Sequence, residues 1–370
     1  MADIFIRKIH IDKVRHLEKV CINLSDTERK HLIITGKNGS GKTSMLEMMK
    51  YVIKLQQFNT PTNQRIGGVA MSYSLSYQSM QALESLSDFT CVYIPARRHD
   101  FTRPTSIELI QIENKTSISE NVSKEFLKYM LSLDYQLYSA KINNDSELEA
   151  RIEKWFDNLL RALRNIYNCQ ELNLQRDAKN LAFKIEMPKR EPFALDKMSD
   201  GYAAFLEIVM ELLMRLESNE AIVEYEKPAI VLIDEIEAHL HVELQKRILP
   251  FLTQMFPNVQ FIVSTHSPFV ITSLENAIVF DLEKKEQLEN PSFYSFETIV
   301  ESFLDTDKYS NILKKYFARY KELCFKDRTP AENEEFLRTK AELEIMSLPS
   351  TELYIAFQEL EQKRKAAING

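Results

Sequence analysis

His31-Leu-Ile-Ile-Thr-Gly-Lys-Asn-Gly-Ser-Gly-Lys-Thr-Ser44 is the stretch whose reading decides the fold. Its first five residues, His31 to Thr35, read as a buried strand, and Ser44 to Leu55 read as a helix. Strand, glycine-rich turn and helix in that order form the context of a phosphate-cradling loop. Gly36, Gly39 and Gly41 let the backbone curl tightly enough to aim successive N–H groups, from Lys37, Asn38, Ser40 and their neighbours, at one anion. The helix N-terminus at Ser44 adds its partial positive charge to the same spot. In such a loop Lys42 reaches the β- and γ-phosphates of a nucleotide, and the Thr43 hydroxyl is a ligand to magnesium.

Upstream, Phe5 to Ile11 and Val20 to Leu24 alternate as half-buried strands do. Downstream, Asn59 to Ser79 is polar, holds Pro61, Gly67 and Gly68, and reads as a loop or lid. Phe89 to Ile94 and Ile107 to Ile112 read as strands. From Ser119 to Tyr167 the apolar spacing turns helical, carried by Phe126, Tyr129, Met130, Leu148, Ile152, Trp155, Leu159, Leu160 and Leu163. Leu172 to Leu174 and Leu181 to Met187 read as a β pair, so the middle of the chain is a mixed insertion between two motif-bearing halves.

The second half carries four more pieces of chemistry. Phe193-Ala-Leu-Asp-Lys-Met-Ser-Asp-Gly-Tyr202 opens a helix over Ala203 to Leu216, with Ser199 at its N-cap and Gly201 permitting close approach at its positive end. An ordinary cap and a ligand-facing turn suit this phrase equally. Ala229-Ile-Val-Leu-Ile-Asp-Glu235 is a buried strand ending in two carboxylates, suited to magnesium coordination by Asp234 and general base chemistry by Glu235. Ile236-Glu-Ala-His-Leu-His241 leads into a helix over Val242 to Phe256; its two histidines, two apart, share no helix face and have no evident third ligand. Val259-Gln-Phe-Ile-Val263 is another buried strand, and the following Ser264-Thr-His-Ser-Pro268 places His266 where an imidazole can report on a γ-phosphate.

Composition sets the bounds. With 370 residues and a formal net charge of −7, the chain has room for one to three domains and is no general polyanion binder, although a local basic groove remains compatible. Cys21, Cys91, Cys169 and Cys324 lack metal or redox spacing and suit free thiols in a reducing compartment. No apolar run approaches the ~20 residues of a membrane span, and the N-terminus lacks a signal-peptide profile, so the expectation is a cytoplasmic protein with no membrane partner. After Asp281 the tail is rich in Lys and Glu with helical apolar spacing at Ile312, Tyr316, Tyr320 and Leu323; it suits either partner docking or a solvated extension. Glu283, Glu286 and Asp305 lie there, but no acid pair ends an apolar strand as a nuclease centre would need.

The order of these motifs resembles the head of ABC-type ATPases, in the branch that includes SMC, RecF and OLD-type proteins. Asp234-Glu-Ile-Glu-Ala-His-Leu-His241 is especially similar to OLD-like anti-phage ATPases of the Septu, PARIS and retron-associated kinds. The likeness covers Ile4 to Gln57 and Met198 to Leu282. It implies an α/β fold: a P-loop ATPase head with a mostly parallel sheet, an antiparallel β lobe, a mixed helical insertion and a helical C-terminal tail. The expected segments are an N-terminal ATPase lobe with the phosphate loop at 1–58, a lid, β segments and helical insertion at 59–192, a lobe with the signature, Asp-Glu and His-switch motifs at 193–285, and a helical partner-docking region at 286–370. By resemblance ATP and Mg2+ are the cofactors, with Gly36 to Ser44 binding ATP, Thr43 and Asp234 the metal, Glu235 the catalytic base and His266 the switch histidine.

Met198 to Tyr202 stands where the family signature lies, so Ser199 and Gly201 would face the ATP of a second copy. Asp200 replaces a glycine there and brings a negative charge. Tyr93-Ile-Pro-Ala-Arg-Arg98 falls in the region of the family's Q-loop, where its arginines suit either phosphate or solvent. The implied mechanism is a slow switch: ATP closes a homodimer and hydrolysis opens it. The insertion is too short and irregular for the coiled-coil arms of SMC proteins. Two roles follow. One is a defence ATPase that works with a separately encoded effector, a nuclease or toxin. The other is a RecF-like clamp holding duplex DNA, with Arg97, Arg98, Arg103, Lys179, Lys189 and Arg190 as its basic strip.

Overall fold

The computed structural model describes residues 4–57, 66–76, 90–96, 126–177, 180–216, 227–304, 309–346 and 352–369. Strands β1 (Ile6–Val14) and β2 (Leu17–Asn23) bury every apolar position of their alternation and pair as an antiparallel hairpin. Strand β3 (His31–Thr35) and helix α1 (Lys42–Gln57) follow, flanking the glycine-rich turn. Val69–Tyr73, expected to be part of a loop, is strand β4, antiparallel to β1. Its inward residues Val69, Met71 and Tyr73 alternate with Ala70 and Ser72, a pattern masked by its polar surroundings. Gly68 makes the pairing possible, since a Cβ there would sit 2.3 Å from the Lys13 carbonyl oxygen.

Strands β5 (Thr90–Ile94), β9 (Ala229–Ile233), β10 (Val259–Ser264) and β11 (Ala277–Asp281) join β3 in a parallel sheet. β12 (Glu286–Glu289) pairs antiparallel to β11 at one edge, giving the order β12-β11-β3-β10-β9-β5. The polar composition of β12 hides it from periodicity, because an edge strand can leave its side chains in solvent. The inner strands are apolar on both faces, as parallel strands covered on both sides must be.

Helix α1 lies in the core shared by the two sheets. Met45, Leu46, Met49, Val52 and Ile53 pack among Ile9, Ile11 and Val20 of the hairpin and Leu32, Ile34, Leu232 and Ile262 of the parallel sheet. Each such side chain contributes about 1.5–3 kcal/mol on burial, so the start of α1 is held firmly in place. Gln260 ties the layers together from within β10. Its Oε1 accepts from Ile6 N at 2.7 Å, and its Nε2 donates to Ile6 O at 3.0 Å and Lys30 O at 2.8 Å.

The middle segment provides helices α2 (Phe126–Asn143) and α3 (Ser146–Tyr167), joined through the Asp145 cap on Leu148 N. Trp155 and Leu159 are buried on the strongly amphipathic α3. Strands β6 (Asn173–Asp177), β7 (Ala182–Met187) and β8 (Arg190–Ala194) form a separate antiparallel sheet. β8 adds a third strand to the expected pair, since Pro192 obscures an edge strand in the sequence. Ile107 to Ile112 and residues 58–65, at the start of the expected lid, lie outside the described residues.

Two compact units divide the chain, Met1–Phe296 and Glu297–Gly370. The second contains helices Asn311–Cys324, Pro330–Met346 and Glu352–Asn369 around Tyr320, Leu323, Phe336, Leu343 and Phe357. Thr329 and Glu332 begin its middle helix with a reciprocal capping box. Buried Glu361 accepts from Lys340 at 2.7 Å and Arg364 at 2.8 Å, and its pKa is held down to about 2, Arg364 first among the causes. No helix among the described residues is long and apolar enough to cross a membrane.

Candidate functional site

Where β3 meets α1, the backbone passes through Gly36, Gly39 and Gly41 at φ values of 134°, 83° and 103°. Side chains are strained at such angles, and Gly41 is also crowded, because a Cβ there would lie 3.0 Å from Leu17. Lys42 folds back over the loop and donates to the carbonyls of Gly36 at 2.9 Å and Lys37 at 3.2 Å. Burial lowers the pKa of its amine, while Glu235, Glu237, Asp234 and Asp281 pull it back up. Ser40 Oγ is buried in the same loop with no protein partner. Lys37 pairs with Glu283 at 2.8 Å, and Ser44 Oγ accepts from Arg15 at 2.7 Å.

Two neighbouring strand ends, those of β9 and β10, meet this loop. Asp234, directly after β9, is buried and held from both sides. Thr43 Oγ1 donates to Asp234 Oδ2 at 2.8 Å, and Ser264 Oγ donates to Oδ1 at 2.5 Å. Ser264 Oγ also accepts from Glu235 N at 2.8 Å, so one hydroxyl positions both carboxylate residues. Glu235 is exposed and has φ of 45°, a left-handed conformation that costs a non-glycine residue about 1–2 kcal/mol. His266 N donates to Glu237 Oε1 at 2.5 Å, while Glu237 Oε2 is buried without a hydrogen bond. Burial and then Lys42 push the His266 pKa down, favouring a neutral ring.

This donor set fits a hydrated divalent cation. Thr43 and Asp234 supply one hydroxyl and one carboxylate, leaving other positions for phosphate oxygens and water. No group of three or more His, Cys, Asp or Glu able to hold a metal occurs among the described residues. The orphaned Ser40 hydroxyl and the amide-rich turn fit the phosphates such a cation accompanies.

The signature segment is built differently. Ser199 occupies the N-cap of helix α4 (Asp200–Arg215), yet its side chain makes no cap hydrogen bond. Ser199 and Asp200 are exposed, whereas Gly201 is buried. A Cβ on Gly201 would meet His239 O at 3.1 Å and the His241 ring at 3.3 Å. The His239 carbonyl and the edge of the exposed His241 ring therefore lie against Gly201. Among the described residues, no hydrogen bond links Ser199, Asp200 or Gly201 to the phosphate loop. The structure thus gathers Lys42, Thr43, Asp234, Glu235 and His266, with no hydrogen bond among the described residues joining Ser199 or Gly201 to the phosphate loop.

Ser264, Glu237 and Gln245, which accepts from Ser267 at 2.7 Å, were not singled out by sequence reasoning. Their signal was slight: polar residues at the ends of apolar runs, meeting only in space. Arg97, Arg98, Arg103, Lys179 and Asp305 lie outside the described residues. Of the basic strip, Lys189 and Arg190 flank the β7–β8 turn, and Arg190 stacks over Phe193 at 4.5 Å.

Residues 94–272 match the family described as "AAA domain, putative AbiEii toxin, Type IV TA system". Septu protein PtuA of Bacillus mycoides (strain KBAB4) is 24% identical over 315 residues, covering 76% of this chain and 41% of that protein. Retron Ec83 probable ATPase of Escherichia coli is 28% identical over 260 residues, 61% of this chain and 47% of that protein. Retron Vc95 probable ATPase of Vibrio cholerae serotype O1 biovar El Tor is 26% identical over 250 residues, 56% of this chain and 46% of that protein. The chain thus spans less than half the length of these curated relatives. A solved SMC head bound to the C-winged helix domain of ScpA aligns over 78% of this chain and 100% of that one, with 14% identity and a TM-score of 0.46. The expected similarity to Septu and retron ATPases is thereby found.

Proposed function

We propose that this chain binds and slowly hydrolyses ATP, pairs with a second copy around the nucleotide, and regulates a separately encoded effector in anti-phage defence. The observation that carries the ATPase reading is the linkage Thr43–Asp234–Ser264–Glu235 directly behind a glycine-rich loop. Lys42 exchanges its two carbonyl partners for the β- and γ-phosphate oxygens. Thr43 and Asp234 hold magnesium, which neutralises charge on the phosphates when bound. Glu235 orients the attacking water and accepts its proton, its carboxylate being exposed while its backbone is pinned by Ser264. Neutral His266, with its backbone held by Glu237, lies ready to hydrogen-bond the γ-phosphate.

The two-copy reading is supported by the exposure of Ser199 and by the lack, among the described residues, of a hydrogen bond from Ser199 or Gly201 to the phosphate loop of their own chain. Ser199, exposed at a helix N-terminus, suits the outer oxygens of a nucleotide on another copy. Closure on ATP and opening on hydrolysis make the output a change of shape, which an effector can read. The defence role is supported by the similarity to PtuA and the two retron proteins. Glu235→Gln, used as bait in the native host, tests it. A stoichiometric nuclease or toxin co-purifying with ATP supports the reading; duplex DNA retained with no protein companion contradicts it in favour of the clamp.

A further inference from the structure

We propose that Tyr167 is a positioning residue that staples both ends of the signature segment and fixes Ser199 and Gly201 for a second copy's nucleotide; this rests on the two-copy reading above. The segment Phe193 to Tyr202 runs from β8 through a 3-10 turn at Leu195–Lys197 into α4. Its own polar groups give the turn little to hold it, since Ser199 makes no cap bond and Ser199 and Asp200 are exposed. Aromatic rings at its two ends converge on Tyr167. Tyr202 stacks on Tyr167 with centroids 4.2 Å apart and planes 12° from parallel. Phe193 meets the same ring at 6.3 Å and 60°. Arg190 lies over Phe193 at 4.5 Å, closing the stack at the hairpin. Offset stacked and tilted pairs are the favoured aromatic geometries, and they define orientation as well as distance.

Tyr167 can serve as the fixed point because the end of α3 is itself anchored. Left-handed Asn168, with φ of 50°, terminates the helix, and its N–H donates to Arg164 O and Asn165 O. Arg247, on helix α5 (Val242–Met255), donates to the carbonyls of Asn165 and Ile166. A cation at the carbonyl end of a helix is favourable, so α3 is bound to the helix that begins just after His241. Gly201 lies against the His239 carbonyl and the His241 ring, and its neighbour Tyr202 is held by Tyr167. The inserted helix and hairpin therefore determine where the signature turn points.

The test separates binding in one chain from completion by another. Tyr167→Ala is expected to bind a fluorescent ATP analogue within threefold of the parent affinity, while turnover falls at least tenfold. Tyr167→Phe keeps the ring and is expected to stay within twofold of the parent, whereas Tyr167→Leu, which fills space without a ring, is expected to fail like Tyr167→Ala. Mixing Tyr167→Ala with Lys42→Ala pairs an intact phosphate loop with an intact signature turn and should raise turnover well above either alone. Turnover of Tyr167→Ala within twofold of the parent overturns the proposal, as does a loss that mixing cannot rescue. Mixing Lys42→Ala with Ser199→Arg is the control. If that control rescues and the Tyr167→Ala mixture does not, this proposal alone fails; if the control fails too, the two-copy reading falls and takes this proposal with it.

Discussion

The phosphate loop and the signature turn are both glycine-bearing helix starts, yet the chain treats them in opposite ways. The first is closed upon itself: Lys42 caps its carbonyls, Thr43 and Ser264 grip Asp234, and α1 is sunk in a core shared by two sheets. The second is open, with its cap bond unmade and Ser199 and Asp200 in solvent. An element whose lysine and carboxylate are held internally is ready before a ligand arrives, with the Ser40 hydroxyl left over to meet it. An element that leaves such groups outward keeps them in water, open to exchange for another partner. The difference teaches that one half of the proposed site is preorganised and the other is offered.

Substitutions on the two sides should separate binding from turnover. The largest effect is expected for Glu235→Gln, which keeps the shape and hydrogen-bonded backbone but removes the base; turnover should fall on the order of a thousandfold with ATP affinity retained. Phosphate-release assays and calorimetry on the same sample check both halves. Lys42→Ala should weaken ATP binding about a hundredfold, in line with about 3 kcal/mol for a charge-assisted contact. Unchanged affinity would break the claim that the loop is the binding half.

Acid should act on the preorganised half through His31. Its Nδ1 accepts from Phe261 N at 3.1 Å, and burial, with Arg29 adding to it, lowers its pKa to about 4. Between that value and the ordinary 6.5 the unfolded chain holds a proton that the folded chain refuses. This contribution is therefore fully present above about pH 6.5 and is lost as pH falls towards about 4, with about 2 kcal/mol gone by about pH 5. Urea unfolding across that range measures it, and His31→Asn should flatten the slope. The smallest effect is expected for Ser199→Arg, with turnover down about tenfold and affinity unchanged, because a bulky cation obstructs only the offered half.

Much of the preorganised half was legible because it is local. Gly36 to Thr43 are consecutive, and Ala229 to Ile233 and Val259 to Val263 are chiefly apolar runs long enough to announce buried strands. What escaped was nonlocal or at an edge. Ser264 meets Asp234 across 30 residues, and Glu237 meets the His266 backbone across 29, pairings that only the parallel register of β9 and β10 creates. Gln260 and His31 interrupt apolar strands, and their partners on other strands are invisible in sequence. Strands β4, β8 and β12 carry polar residues or proline because each has a face or edge free of core. The Tyr167–Tyr202 stack needs the whole inserted segment in place before either residue has meaning.

The most direct test of an offered half-site is the mass of Glu235→Gln in solution with ATP and with ADP, measured by sedimentation at saturating nucleotide and magnesium. The account predicts two copies with ATP and separate copies with ADP, and loss of the ATP-bound pair when Ser199→Arg is added. A chain that binds ATP stoichiometrically yet keeps the same mass with both nucleotides would contradict it.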